Sequence, residues 1–493
     1  MKRLTIFFII GLLLFSARII EAQAVKKLTF QEVIKLSEEQ SPDALIAKHR
    51  FRNSYWQYRT FVAQYRPSLT LSGTTPSYST AYTRVWNSGI KQWEYVSTND
   101  LQNIGELSLS QNIGFTGGSI SLESDLTLQN DFENSLNKYI TVPMSIRLNQ
   151  PIFSYNELKW QRKIEPLKYD AAKKTYLSNI ETVHMYAVRN FFSLALAQIN
   201  KQIAEMNYSN ADTLYRIARG RYNLGTIAED ELLQMQLSFL NAETASKEAD
   251  MNLRDREIRL RSFLGYNETV RLELILPGET PDLQVDMKEV LDLALSNNPE
   301  IMTQQLTILS AQSNVAQAKA DKGLNGNIFA SYGLQGRDEN FNVAYSELSK
   351  QQGIRIGFSM PILDWGLGRG RYRMALSSME LAQVQSQQAI VDFQQNLFLD
   401  VEQFNLQAAQ VGIAAKSDTV AQKMFEVTKQ RFLIGKISVL ELNNADTKKD
   451  QNRRAYVQSL QNYWNYFYNL RSLTLFDFIN RKPLDTDYDK MIQ

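Results

Sequence analysis

The chain repeats itself. Leu28 to Asp43, LTFQEVIKLSEEQSPD, aligns with Val285 to Glu300, VDMKEVLDLALSNNPE, at an offset of 257 residues, so that Glu32, Val33, Leu36 and Pro42 meet Glu289, Val290, Leu293 and Pro299. Further on, Pro151 and Ile152 match Pro361 and Ile362, and Arg221, Gly225, Ile227, Glu231 and Leu232 match Arg431, Gly435, Ile437, Glu441 and Leu442, now at an offset of 210. The offsets differ by 47 residues, which are extra chain in the first half between Pro42 and Pro151. Whatever fold one half adopts, the other must adopt too, and the excess is the place where they part.

Each half changes texture in the same order. A short amphipathic segment and a Pro lead into a helical stretch, Asp43 to about Arg66 and Glu300 to about Lys322. Period-two apolar residues follow, among them Ile120, Leu122, Leu126 and Leu128; Ile140, Val142, Met144, Ile146 and Leu148; Ile328, Ala330, Tyr332 and Leu334; and Ile354, Ile356, Phe358 and Met360. Such alternation predicts strands with one apolar face. Gly73 to Asn99 and Gln335 to Gln352 are rich in Ser, Asn, Gly and Asp and read as loops.

After these strands Pro disappears, from Leu167 to Leu276 and from Ile362 to Lys482, and Ala, Leu, Gln, Glu, Lys and Arg take over, which predicts very long helices. Each span is interrupted once, at Gly225 and at Gly435, where a left-handed residue can end a helix. Each half therefore ends in a helical hairpin whose first arm, Glu157 to Gly220 in the first half, would be roughly 95 Å long at ~1.5 Å per residue. Ile180, Val183, Ala187, Phe191 and Leu194 form one apolar stripe and Val188, Phe192, Ala195 and Ile199 a second. Helices apolar on two sides need neighbours on both, as in a ring.

The N-terminus reads as an export signal over residues 1–24: Lys2 and Arg3, an apolar run from Leu4 to Phe15, and the small-residue cleavage site Ala22-Gln23-Ala24. A buried core helix is the alternative. Without those residues the chain has 51 basic and 51 acidic side chains, which gives no basic face for nucleic acid. No Cys and only His49 and His184 exclude a thiolate zinc site, a Cys nucleophile and an N-terminal Cys lipid anchor. No nucleophile, base and orienting group stand at an enzyme's spacing, so we expect no catalysis and no cofactor. Gly366-Leu-Gly368-Arg-Gly370 has its third Gly one residue early for a dinucleotide loop and lacks a βαβ context.

Amphipathic strands in an exported chain without a spanning helix point to an outer-membrane barrel, because lipid tolerates only helices and closed barrels. The chain offers about four strands, or six if the 47-residue excess holds a hairpin around Glu106 to Leu128. Neither number reaches the eight of the smallest single-chain barrels, so several copies must share one. A cyclic trimer with four strands from each copy would give 12.

With its duplicated halves, Gln150-Pro151-Ile152-Phe153 and Met360-Pro361-Ile362-Leu363, and the turns Arg221-Tyr222-x-x-Gly225 and Arg431-Phe432-x-x-Gly435, the mature chain resembles the TolC-type outer-membrane efflux protein family. The resemblance implies an α+β membrane protein built from two structural repeats: a homotrimer with a 12-stranded transmembrane β-barrel and a long α-helical coiled-coil barrel crossing the periplasm. It implies passive conduction of cargo delivered by an inner-membrane transporter through a periplasmic adaptor. The division expected is a signal, 1–24; a first repeat, 25–276, with strands about 67–150 and a helical hairpin about 157–265; a linker, 277–284; a second repeat, 285–476, with strands about 326–361 and a hairpin about 366–475; and a tail, 477–493. A secreted coiled-coil adhesin or structural filament is the rival from another class. It leaves the alternating strands unexplained, and the cargo (drug, dye, metal or polypeptide) stays open.

Three sets of residues are candidates for the working parts. Pro151, Phe153, Pro361 and Trp365 stand where strand passes to helix, since Pro lacks a ladder N–H and presets φ for a bend, and aromatic rings suit a membrane interface. Arg221, Leu224 and Gly225, with Arg431, Ile434 and Gly435, form tips suited to adaptor contact. Glu441 and Glu231, each six residues after a tip Gly, would become carboxylate rings in a trimer. Family members often place a second acid one turn on, where this chain has Asn444. Solvated helix-face carboxylates are the plain alternative.

Overall fold

The computed structural model describes residues 25–492 apart from 134, 267–270, 279, 282, 435 and 438; the expected signal and Gly435 lie outside the described residues. Two compact units emerge, residues 25–51, 174–298 and 393–492 in one, and residues 52–173 and 299–392 in the other.

The first unit opens with β1 (Val25–Thr29), which pairs in parallel with β6 (Arg271–Ile275), and continues into α1 (Phe30–Gln40). The first block of the repeat is a helix start. Thr29 Oγ1 accepts from the Glu32 backbone N–H while the Glu32 carboxylate accepts from the Thr29 N–H, a reciprocal cap. At the offset of 257, Asp286 caps α5 (Met287–Asn297) by accepting from the Glu289 N–H. Pro42 and Pro299 then open α2 (Pro42–Ala63) and α6 (Pro299–Asp321), where the missing Pro N–H costs no helical bond.

Long helices supply most of this unit. The first hairpin is α3 (Glu157–Asn223) and α4 (Glu229–Phe263); the second is α8 (Leu367–Leu433) and α9 (Val439–Thr474), with α3 and α8 each 67 residues long. Their buried faces carry large rings: Phe30 packs edge-on against Phe191 and also against Trp464, and Phe404 lies against Tyr463, with Leu194, Leu397, Leu460 and Leu470 filling between. Fully burying such side chains contributes ~1.5–3 kcal/mol each, which suffices to order helices of modest intrinsic stability.

The second unit is built on one antiparallel sheet of six strands, ordered β2 (Ser68–Asn87), β3 (Gln92–Ile113), β4 (Gly118–Asp131), β5 (Leu136–Ile152), β7 (Asn325–Asp338) and β8 (Ser349–Ser359). The 47-residue excess is therefore sheet, and the reading of Gly73 to Asn99 as a loop is overturned. That stretch is the long arm of the β2–β3 hairpin, paired from Ser68↔Ser110 to Asn87↔Gln92 around a turn at 88–91, with one register shift between Thr74 and Ser77. Its Ser and Thr looked like loop because they occupy the polar side of a two-faced strand, whereas Tyr78, Tyr82, Trp86, Trp93 and Tyr95 supply the β-preferring rings. Gln335 to Gln352 is likewise not a plain loop: β7 runs on to Asp338, α7 (Phe341–Ser346) follows, and β8 begins at Ser349. The Thr141 hydroxyl donates to the Ala344 carbonyl at 2.6 Å, and any Cβ at Gly336 would collide with that same carbonyl.

Candidate functional site

The register sorts the sheet into faces, since directly paired residues point the same way. One row crosses all six strands as Leu69, Leu109, Leu122, Ile146, Tyr332 and Gln352; the next row along is Ser68, Ser110, Ser121, Arg147, Ser331 and Gly353. One face is apolar and the other polar. On the polar face Arg147 pairs through Nη1 with Glu123 and through Nη2 with Asp125 at 3.4 Å, and Glu106 stands opposite Asp125. No helix among the described residues is long and apolar enough to cross a membrane. At ~9–11 residues per tilted transmembrane strand, the 11 residues of β8 are enough for one crossing, while β2 and β3, with 20 and 22, have about twice that.

Both strand-to-helix turns contain a non-glycine residue at positive φ, and in both it is one of the predicted aromatics: Phe153 (φ 61°) and Trp365 (φ 53°). Left-handed backbone at a large side chain is unfavourable, so the flanking structure must hold it. Pro151 stands opposite Asn327, one pair before the β5–β7 ladder ends at Ile152↔Gly326, Tyr155 shares a 2.6 Å hydrogen bond with Ser313, and Asn156 caps α3 by accepting from the Lys159 N–H. Pro361 lies just past β8, and Asp364 accepts from the N–H groups of Gly366 and Gly368. The Gly366-x-Gly368-x-Gly370 run is thus a helix start already occupied by a carboxylate. Those two backbone bonds hold the Asp364 pKa below its ordinary value.

The two hairpin turns share their closure. In the first, Gly225 sits at φ 73°, its N–H bonds to the Tyr222 carbonyl at 2.8 Å, and Thr226 N–H reaches Arg221 at 3.0 Å, the paired bonds of a Schellman C-terminus. In the second, Lys436 N–H reaches Arg431 at the same 3.0 Å, 210 residues on. Arg221, Leu224, Arg431 and Ile434 are exposed beside these turns. The gate candidates Glu231, Glu441 and Asn444 are exposed too, and the two acids occupy the first turns of α4 and α9, where negative charge complements the helix dipole. Asn444 follows Glu441 by three residues on α9, one turn along the same helix.

On α8 the Leu397, Val401 and Phe404 stripe is legible in the sequence, whereas a second seam on the same helix is not. Leu397, Phe404, Val411, Asp418 and Phe425 recur every seven residues and are buried; Leu399, Leu406, Ile413, Val420 and Val427 recur with the same period and are 55–67% exposed. Two residues apart on a helix is about 200°, so the second seam is on the opposite side from the first. Seven-residue apolar repeats are the packing period of coiled helices, and this one is unfilled. On α4, Leu233, Leu237, Leu240, Met251 and Ile258 are similarly exposed.

The hairpins differ inside. In the first, Tyr208 and Tyr215 stack on Phe239 with ring centroids 5.5 and 5.8 Å apart. At the offset of 210 those positions hold Asp418, Phe425 and Lys449. Lys449 Nζ lies 4.2 Å from the Phe425 ring centroid, 2.6 Å from Asp446 and 3.3 Å from Asp450, and Arg453 binds Asp418 at 3.0 Å.

A second cluster also escaped the sequence reading. His184 is buried between Glu181 at 3.4 Å and Glu38 at 3.6 Å, beside Tyr468, at a cavity also lined by Arg471 and Asp477. The Glu181-x-x-His184 spacing was a visible signal; Glu38, from α1, was not. Burial alone would lower the His184 pKa, but the two carboxylates outweigh it and raise it. Burial pushes the Tyr468 hydroxyl upward.

A family model described as "Outer membrane efflux protein" matches residues 33–266 and 290–474. The fold is shared with solved outer-membrane channels. CmeC of Campylobacter jejuni is 16% identical, with a TM-score of 0.66 over 94% of this chain and 88% of its own. VceC of Vibrio cholerae is 12% identical, with a TM-score of 0.62 over 92% and 97%. The open state of MtrE from Neisseria gonorrhoeae is 12% identical, with a TM-score of 0.51 over 93% and 91%. No curated protein is significantly similar to the sequence.

Proposed function

Because this chain belongs to the outer membrane efflux protein family, we propose that it is the outer-membrane duct of a tripartite export system, conducting cargo passively through a homotrimer. One observation carries the reading: a sheet with an apolar face, a polar face and too few strands to close is continuous in sequence with helices whose second apolar seam is unfilled. Copies of the chain satisfy both needs, lining the sheets into a barrel in outer-membrane lipid and the seams into a helical tube in the periplasm. Transport energy then comes from an inner-membrane transporter, and the exposed tips around Arg221 and Arg431 meet a periplasmic adaptor. The polar row through Arg147 faces water inside the pore. The chain does no chemistry on its cargo.

Fractionation tests the assembly. The protein should remain in the outer-membrane fraction and run as a heat-modifiable trimer, and cells lacking it should retain exported dyes or drugs that restored expression removes. A protein soluble without detergent would overturn the reading.

A further inference from the structure

We infer that the edge of β2 pairs with the edge of β8 in the next copy, so that the transmembrane barrel is closed by 18 strands rather than 12. This rests on the trimer proposed above and specifies its wall.

The excess hairpin is part of one continuous sheet. β3 and β4 pair over Asp100↔Asp131 to Ile113↔Gly118, and β4 pairs with β5 along nearly its whole length, so the inserted strands lie between β2 and β5 with no gap in the ladder. The apolar and polar rows pass through them without changing sides. All three clustered acids, Glu106, Glu123 and Asp125, belong to the inserted pair, and the ion pairs of the latter two with Arg147 of β5 tie it to the rest of the polar face.

Among the described residues β2 and β8 have sheet neighbours on one side only. Their apolar side chains are open to the surroundings, with Leu71 79% and Ile354 80% exposed. In water such an edge is tolerable; in lipid each unpaired N–H or C=O costs several kcal/mol, so both edges require a strand. Six strands cannot supply it within one chain, because the smallest single-chain barrels have eight. Since the strand number is even, β8 runs opposite to β2, and a neighbour's β2 joins it antiparallel, as every other junction in the sheet is. Pro76 interrupts the β2–β3 register between Thr74 and Ser77 and has no N–H to offer a neighbour. That places the intercopy ladder on Ser68–Thr74, at the same end of the sheet as Gly353–Ser359 of β8.

Width follows from strand number. With strands ~4.8 Å apart and tilted ~40°, 12 strands enclose a ring of about 12 Å radius and 18 strands one of about 18 Å. The mouth in the outer membrane becomes about 1.5-fold wider than a 12-stranded duct.

The natural absence of Cys makes the test clean. In full-length protein in outer membranes, Cys would be placed at Leu69, Leu71 or Gly73, each with Ile354→Cys, Ile356→Cys or Phe358→Cys, and oxidised. The expected result is a covalent ladder ending at three copies for at least one combination, absent in every single-Cys variant. If β8 cross-links instead to Leu122→Cys on β4, the β2–β3 hairpin lies outside a 12-stranded wall, and this inference fails while the trimer stands. A ladder ending at two copies overturns the trimer as well. Should the variants not insert, top views of the unmodified protein by electron microscopy decide: a ring near 18 Å radius supports the inference and one near 12 Å overturns it.

Discussion

Arg471 on α9 donates from Nη2 to Glu181 on α3 at 2.8 Å, joining two helices whose contacting residues are 290 positions apart, and from Nη1 to Asp477 at 2.9 Å. Glu181 and Asp477 are buried and Arg471 is partly buried between them. Removing one member of a buried pair leaves uncompensated charge, typically at ~3–5 kcal/mol. Arg471→Ala should therefore lower the thermal midpoint of the detergent-solubilised protein by several degrees, and Arg471→Lys should recover only part of it because one ammonium cannot fork to two carboxylates. An unchanged midpoint in Arg471→Ala would show the pair to be inert.

His184 provides a pH dependence whose sign is fixed. Burial disfavours its charge, yet Glu181 and Glu38 raise its pKa above the usual 6.5 or so, with Arg471 the opposing cation at the same cluster and Tyr468 against the ring. A raised folded-state pKa means the stabilisation is complete below the unfolded value and disappears as pH rises through the folded one. Melting curves from pH 5 to 9 should show stability falling on the alkaline side, and His184→Gln should flatten that part of the profile.

At the first tip, Gly225→Val forces a β-branched residue to φ 73° and should cost ~1–2 kcal/mol locally. Export should drop severely while trimers stay in the membrane, as judged by dye retention beside heat-modifiability. Normal export in this variant would remove the tip from adaptor docking.

Glu441, exposed in the first turn of α9, is predicted to ring the narrow end of the tube in threefold repetition. Like charges held close together favour a bound cation. Periplasmic divalent cations should then block single-channel current in the wild type, with the block weakened in Glu441→Gln. Weakening only in Glu231→Gln would move the gate to the other hairpin, and no effect in either leaves both acids as helix N-terminal charges.

The turn between Trp86 and Trp93, whose rings meet edge to face at 5.5 Å, caps a two-stranded ribbon that β4 does not accompany beyond Asp100. An epitope inserted at Asn87-Ser88 should be labelled on intact cells. Labelling confined to broken cells would invert the orientation.

The repeat was legible because it encodes boundaries: Thr29 and Asp286 cap equivalent helices, Pro42 and Pro299 open the next ones, and the Gly225 turn ends a Pro-free run. Strands with apolar rows were legible wherever Ile and Leu alternate. Gly73 to Asn99 was not, because Ser and Thr on a water-facing strand have a loop's composition, and only the pairing partner reveals the period. The exposed seam of α8 escaped because two stripes of equal period differ solely in which is covered, and the His184 cluster because Glu38 reaches it across 146 residues of chain.

The unlike interiors of the two hairpins give the duplicated halves separate physical fates. Where Tyr208, Phe239 and Tyr215 stack, cohesion is indifferent to ionic strength and weakens on cooling; where Lys449 meets Asp446 and Asp450, and Arg453 meets Asp418, it responds to salt. In the proposed trimer, three hairpins would then be held by stacked rings and three by ion pairs, so salt would loosen one set and spare the other without any subunit differing from its neighbours.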